Sequence, residues 1–278
     1  MLKIPRQDDP KEVLKHKDKF LGATALLVLG GPSGIRWKKL RDEIKPDVII
    51  TCNGLTNISG ATYWVLGENM NRALFYALKK SVERDRIFLK ELGPNKARWR
   101  FINWQNWHTE TDLNVGDYFD LYQPDIVKFN RFGFDYGPPP SSFTMRDYSD
   151  GLLSGWIFQK GRELRCKSRW RVGTVAIHML HLAGLVGCSE LHTIGLDLSF
   201  PNGRKAPHHW FKWPMYTKDN FRSEQIFTTY EGVLDTQWDW IEGAEFINTL
   251  EPLFKRDKIL WQDHSNGLLQ KMNVWCAL

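Results

Sequence analysis

Two short apolar runs with a glycine-rich loop between them constrain this chain more than any other feature. Ala23-Thr24-Ala25-Leu26-Leu27-Val28-Leu29 is brief, apolar and stopped by Gly30 and Gly31, which reads as a strand buried on both faces. Val48-Ile49-Ile50-Thr51-Cys52 follows Pro46 and is dominated by β-branched residues, the composition of a second strand. Between them Ile35, Leu40 and Ile44 are spaced among Arg and Lys, as in a short amphipathic helix. Strand, helix and strand within about thirty residues make a βαβ unit, the building block of parallel sheets.

The same alternation is expected further along. Residues 61–93 read as largely helical, with Leu74, Ala77, Leu78 and Val82 as buried positions and Ile87-Phe88-Leu89 as a further strand. Trp99 to Trp107 reads as strand plus loop. Residues 108–160 hold Gly133, Gly137 and Pro138-Pro139-Pro140, which can neither continue a helix nor pair inside a sheet. This stretch is expected as an insertion or lid with short strands, covering the active site or forming a plain surface excursion. Val175 to Val186 reads as a strongly apolar helix ending near Gly187, with His178 and His181 as core positions. Leu191 to Leu196 is a strand, Thr229–Gly243 a helix, and Glu245-Phe246-Ile247-Asn248 strand-like. The expected fold is an α/β, Rossmann-like, doubly wound and mainly parallel sheet with an inserted lid or irregular region. Residues 1–22 form an arm, and 23–278 form one domain interrupted at about 108–160.

Bulk properties narrow the function classes. Charged residues make up 25% of the chain and hydrophobic ones 42%, so a folded domain rather than a disordered chain is expected. A net charge of +6 favours an anionic ligand, a nucleotide or nucleic acid. Thirteen tryptophans, clustered at Trp99–Trp107 and Trp210–Trp213, serve either the core or stacking on bases and sugars. Cys52, Cys166, Cys188 and Cys276 are scattered without a CxxC pair, against a structural zinc site or a disulfide framework. The charged amino terminus lacks an apolar signal core, and no run reaches the length of a membrane span. A cytoplasmic location is the expectation.

Four places carry candidate chemistry. Gly30-Gly31-Pro32-Ser33-Gly34 lies between a strand and a helix, where glycines let backbone approach phosphate oxygens and Ser33 adds a hydroxyl. It matches neither a Walker A loop nor the dinucleotide fingerprint, and a ligand-free tight turn is the alternative. Asn53 follows the second strand and either faces the same crevice or serves an Asn-Gly turn. The basic run from Lys160 to Arg171 leads into Gly173-Thr174 at a helix start, where arginine and backbone N–H groups would hold an anion; a solvated basic strand and a nucleic-acid patch are the alternatives. Gly195-Leu196-Asp197 ends another strand, and Asp197 is a ligand for a hydroxyl or metal, or a cap. The loop beyond it holds His208 and His209, either of which would serve as a general base.

In this order, the Gly-Gly-Pro-Ser loop after Leu26–Leu29, Cys52-Asn53, Arg171-x-Gly173-Thr174 and Gly195-Leu196-Asp197-Leu198 resemble a known superfamily. The chain looks like the family of archaeal 6-hydroxymethylpterin diphosphokinases (MptE-like) and like the bacterial lipooligosaccharide sialyltransferases that share its layout. The likeness covers about residues 23–60 and 165–210. The first relative implies ATP, Mg²⁺ and metal-holding carboxylates, for which only Asp197 and Glu68-Asn69 offer themselves. The second implies a nucleotide-sugar donor, no obligatory metal or other cofactor, a histidine base at His208 or His209, and a tyrosine on the donor phosphate, with Tyr216 as candidate. The glycosyltransferase is the leading expectation, with the pyrophosphokinase and a non-catalytic nucleotide or nucleic-acid binder as alternatives. The acceptor stays open among glycan, small molecule and nucleic acid.

Overall fold

The computed structural model describes residues 11–53, 55, 58–66, 97–103, 126–129, 142–153, 174–199, 226–229 and 234–277. Strand β1 (Thr24–Val28) lies inside the sheet, as its apolar sequence requires: Ala25 through Val28 are fully buried. β2 (Val48–Cys52) is buried at all five positions. Such runs suit a parallel sheet covered on both faces, and each fully buried Leu or Ile contributes about 1.5–3 kcal/mol. Between β1 and β2 a tight 3-10 turn (Pro32–Arg36) precedes helix α2 (Trp37–Ile44). Trp37 and Leu40 face inward there, whereas Ile35, expected on the buried face, is 68% exposed.

Seven parallel strands form the sheet in the order β5-β4-β3-β2-β1-β6-β9. The remaining strands are β3 (Tyr63–Leu66), β4 (Trp99–Asn103), β5 (Ile126–Phe129), β6 (Glu190–Ile194) and β9 (Leu260–Asp263). The helices are α1 (Lys11–Leu14), α3 (Met145–Leu153), α4 (Ala176–Val186), α5 (Trp238–Thr249), α6 (Glu251–Asp257) and α7 (Leu268–Lys271). A separate antiparallel pair joins β7 (Ile226–Thr229) to β8 (Leu234–Gln237). The expected α/β, doubly wound fold is therefore observed.

Several local expectations change. Residues 63–66, expected as helix, are strand β3, because Tyr63, Trp64 and Val65 are buried beside β2. Within the expected helix 229–243, Thr229 ends β7 and Leu234–Gln237 form β8, and the helix starts only at Trp238. Glu245–Asn248, expected as strand, lies inside α5. Ala244 and Ile247 within it, and Leu250 just past its end, recur at three-residue spacing and are buried, the helical period that a four-residue window cannot reveal. Two pieces of the expected insertion belong to the main architecture: β5 pairs with β4, and α3 packs on α4. The expected segments around Leu74–Leu89 and the proline run lie outside the described residues.

Helix α4 is buried along its whole length. Ser149 of α3 lies 3.0 Å from His181 Nδ1, and burial lowers the His181 pKa to about 3, so both helix histidines sit in the core as expected. The amino-terminal arm is stitched to the end of α4. Asp18, Phe20 and Gly22 donate backbone bonds to Leu185, Val186 and Gly187. Trp37, Trp64 and Trp261 are likewise core side chains. Among the described residues no helix is long and apolar enough to cross a membrane.

Gly187 closes α4 at φ +88°, with its N–H reaching back to Ala183 and Gly184, and an added Cβ would stand 3.1 Å from Leu21 Cα. A side chain in the left-handed region costs about 1–2 kcal/mol. Gly187→Ala is expected to lower unfolding free energy by at least that much in a denaturant titration, with an unchanged m-value.

Candidate functional site

From β1 the chain builds outward through β2, β3, β4 and β5, then returns to place β6 and β9 on the other side of β1. The strand order thus reverses between β1 and β6. In open α/β sheets a reversal of this kind opens a crevice beyond the carboxyl ends of the two strands. Gly30–Gly34 leaves β1 at that point, Gly195–Asp197 leaves β6, and Asn53 leaves β2 one strand away. Helix α4 leads back to the amino end of β6, so its start, with Thr174, lies toward the same carboxyl edge. Four of the sequence-derived elements therefore converge on one edge.

Their contacts differ from expectation in an instructive way. Asp197, only 4% exposed, turns its Oδ2 into the glycine loop, where Ser33 donates to it from the backbone N–H at 3.1 Å and from the hydroxyl at 2.8 Å. The Ser33 Oγ also accepts the Gly195 N–H at 2.9 Å. Gly31 donates to the Gly195 carbonyl, and Gly34 donates to the Gly31 carbonyl. The hydroxyl expected on a phosphate is thus spent on Asp197, and the N–H groups of Gly31, Ser33 and Gly34 are spent inside the protein. Asp197, expected to hold a ligand hydroxyl or metal or to act catalytically, instead pins the loop. Gly31 is demanded by that pin, since a Cβ there would collide with Asp197 Oδ2 and stand 2.6 Å from the Gly195 carbonyl. What the loop offers the crevice is a close, side-chain-poor wall.

At the end of β2, Asn53 adopts φ +44° and is half-buried. Its N–H bonds to Val65 and its carbonyl accepts the Trp64 indole at 2.8 Å, which realises the turn reading without removing the residue from the edge. Thr174 Oγ1 accepts the Ala176 N–H at 3.3 Å, and Val175 at the N-cap makes no side-chain capping bond. Arg171, Gly173, His208, His209 and Tyr216 lie outside the described residues. Among the described residues no group of three or more His, Cys, Asp or Glu side chains could hold a metal ion.

A further strand end, missed in the sequence, completes the edge. β9 delivers Asp263-His264-Ser265. Asp263 is 1% exposed and accepts the Thr193 hydroxyl at 2.6 Å and the Ser265 hydroxyl at 2.9 Å. Ser265 Oγ in turn accepts the Leu196 N–H at 2.8 Å, and Leu268 donates to the Asp197 carbonyl at 2.8 Å. Burial pushes Asp263 up to about 7, opposed by its two hydroxyl donors and reinforced by the charge of Asp197. Burial also raises Asp197, opposed by the Ser33 bonds. On the other face of β6, His192 bridges Glu190 at 3.0 Å and His264 at 2.9 Å. Arg36, at the end of the loop turn, caps the His264 carbonyl at 2.9 Å. The signal for this edge is Asp263-His264-Ser265-Asn266-Gly267, a polar, turn-forming run after a short alternating strand.

No protein-family model matches the chain, and no curated protein matches it either. Among solved structures it is similar to the sialyltransferase CstII from Campylobacter jejuni in complex with a substrate analogue, cytidine-5'-monophosphate. That match has 18% identity and a TM-score of 0.43, covering 91% of this chain and 84% of that one. A second CstII structure, with CMP-3FNeuAc, gives 16% identity and a TM-score of 0.40 over 90% of this chain and 83% of that one. A likeness of this size assigns neither residues nor chemistry to the chain.

The loop pin is measurable without any ligand. A double-mutant cycle of Ser33→Ala and Asp197→Ala should give a coupling of about 1.5–3 kcal/mol, the range for hydrogen bonds to a charged group; independent effects would contradict the pin. Asp263 carries a raised pKa in the fold, so its ionisation costs stability as pH rises from the ordinary carboxylate range through about 7. The stability difference between wild type and Asp263→Asn should therefore shift against the wild type between pH 4 and pH 8, read from paired chemical melts.

Proposed function

We propose that the chain is a nucleotide-dependent transferase, and within that class a glycosyltransferase with a nucleotide-sugar donor. The observation that carries this reading is the position of Gly30–Gly34: a side-chain-poor wall held at the switch point of a parallel sheet, facing the edge where α4 begins. A donor can lie close to such a wall. Because the N–H groups of Gly31, Ser33 and Gly34 are committed within the fold, the charge of the phosphates falls to other groups. Arg171, Gly173 and Thr174 at the start of α4 are assigned that task. Tyr216 is assigned to the donor phosphate, and Asn53 to the phosphate, ribose or base edge.

In the proposed reaction His208 or His209 takes the proton of an acceptor hydroxyl. The acceptor oxygen forms its bond to the anomeric carbon as the bond from that carbon to the phosphate oxygen breaks. The nucleotide leaves with the electron pair, and Arg171 stabilises the charge that develops on its phosphate. Asp197 acts at one remove, through the loop. The reaction takes no obligatory metal, and the protein works on the donor in a compartment such as the cytoplasm.

A thermal-shift screen of nucleotides and nucleotide sugars, with and without Mg²⁺, should show at least one that raises the melting temperature, because binding to the folded state alone stabilises by mass action. With that donor, His208→Ala or His209→Ala should lower kcat about 10²–10⁴-fold, the usual yield of general-base catalysis, and EDTA should leave turnover unchanged. Loss of activity in EDTA, with AMP released from ATP, would replace this reading with the diphosphokinase one. Binding without turnover, steeply salt-dependent, would point to a nucleic-acid binder.

A further inference from the structure

The strongest cluster that the proposed reaction leaves unused is the buried carboxyl of Asp263. It lies two strands from β1, yet it is wired to the glycine loop through an unbroken series of bonds. The Trp261 indole donates to Thr193 Oγ1 at 3.1 Å, and Thr193 donates onward to Asp263 Oδ1 at 2.6 Å. Ser265 donates to the same oxygen at 2.9 Å while accepting the Leu196 N–H at 2.8 Å. Leu196 precedes Asp197, whose Oδ2 holds both the N–H and the hydroxyl of Ser33. Each bond in the series fixes a neighbour of the next, so the position of the loop is referred back to β9.

Charge enters because Asp263 and Asp197 feel one another across the end of β6. Among the described residues, several groups face Asp263. From β6 come Thr193 and Asp197, from β9 Trp261, and from the turn Ser265. From the carboxyl-terminal segment comes Cys276, whose carbonyl accepts the Asp263 N–H at 2.7 Å and whose thiol is pushed up by burial and then by Asp263. Among the described residues no cation joins them, and His264, next in the chain, has its ring on His192. Two ionised carboxylates in one buried site repel strongly, and a proton on one relieves the other.

We propose that Asp263 is a protonation-dependent positioning residue of the crevice: carrying its proton, it spares the carboxylate of Asp197 the repulsion of a second buried charge, so that Asp197 stays on Ser33, and it keeps one negative charge away from an anionic ligand. The residue touches no substrate and acts through Ser265, Leu196 and Asp197. A purely structural Asp263 would make the same hydrogen bonds but would leave loop order and ligand affinity without a pH dependence of their own. The ligand part rests on the nucleotide reading, and the loop part does not. Burial places the titration of Asp263 near pH 7, so the effect falls between pH 6 and pH 8.

The experiment is amide hydrogen exchange of the free, full-length chain at pH 6, 7 and 8, expressed as protection factors so that the intrinsic pH dependence of exchange is removed. Protection at Ser33, Gly34 and Leu196 should fall about tenfold from pH 6 to pH 8 in the wild type and stay level in Asp263→Asn, which mimics the protonated acid. Equal slopes in the two proteins overturn the proposal. If Asp263→Asn fails to fold, Ser265→Ala serves. It removes a hydroxyl that holds the Asp263 acid down, so the fall in Ser33 protection should move to higher pH while amides away from the edge are unchanged; a fall that does not move overturns the proposal. Titration with UDP-glucose, GDP-mannose and CMP-N-acetylneuraminate, whose phosphates do not titrate in this range, adds the ligand arm. The one that binds should weaken about tenfold between pH 6 and pH 8 in the wild type and not in Asp263→Asn. A level wild-type affinity overturns that arm. If none of the three binds, the exchange data still decide the loop part, and only the nucleotide reading loses support.

Discussion

The glycine loop and the end of β6 are held together by one buried carboxylate, Asp197. Taking a charged group out of water is costly unless hydrogen bonds replace its hydration, and Asp197 meets that requirement from the glycine loop of a neighbouring strand. In doing so it sets the shape of the loop. Ser33 is drawn inward, Gly31 becomes obligatory because no Cβ fits beside the carboxylate, and β1 and β6 are tied together beyond their ladder. The crevice at the switch point is bounded by that tie.

This arrangement separates two roles that a glycine-rich loop after a strand often combines. Here the N–H groups of Gly31, Ser33 and Gly34 satisfy the fold. The loop therefore contributes closeness, and in the proposed reaction charge neutralisation is assigned to Arg171, Gly173 and Thr174. With its N–H groups committed in this way, the loop matches no established phosphate-binding pattern. The edge is also sensitive to its own electrostatics, since a second buried acid, Asp263, shares the network.

The central part of this architecture was legible in the sequence because its signals are redundant. Ala23–Leu29 and Val48–Cys52 are uniform apolar runs bounded by glycine and proline, and α4 is apolar throughout and closed by Gly187. Where a segment is short, the period fails as a guide. Phe246-Ile247 reads equally as strand or helix until the flanking Ala244 and Leu250 are seen to share its buried face. β3 hides at the start of a stretch with helical composition, and β9 is only four residues long. The site was legible as a set of places and not as a set of contacts. Gly30–Gly34, Asn53, Thr174 and Asp197 do gather at one edge. That Ser33 and Asp197 would be spent on each other follows only from the parallel pairing of β1 with β6, a contact between residues more than 160 positions apart.

Binding of a nucleotide at this edge is read most directly by backbone amide chemical-shift mapping on addition of the donor found by thermal shift. The predicted result is a cluster of perturbed resonances at Gly30–Gly34, Asn53 and Thr174, with the opposite edge of the sheet, around Gly22 and Gly187, unmoved. Saturable binding whose perturbations leave Gly30–Gly34 and Thr174 untouched and gather elsewhere would contradict it.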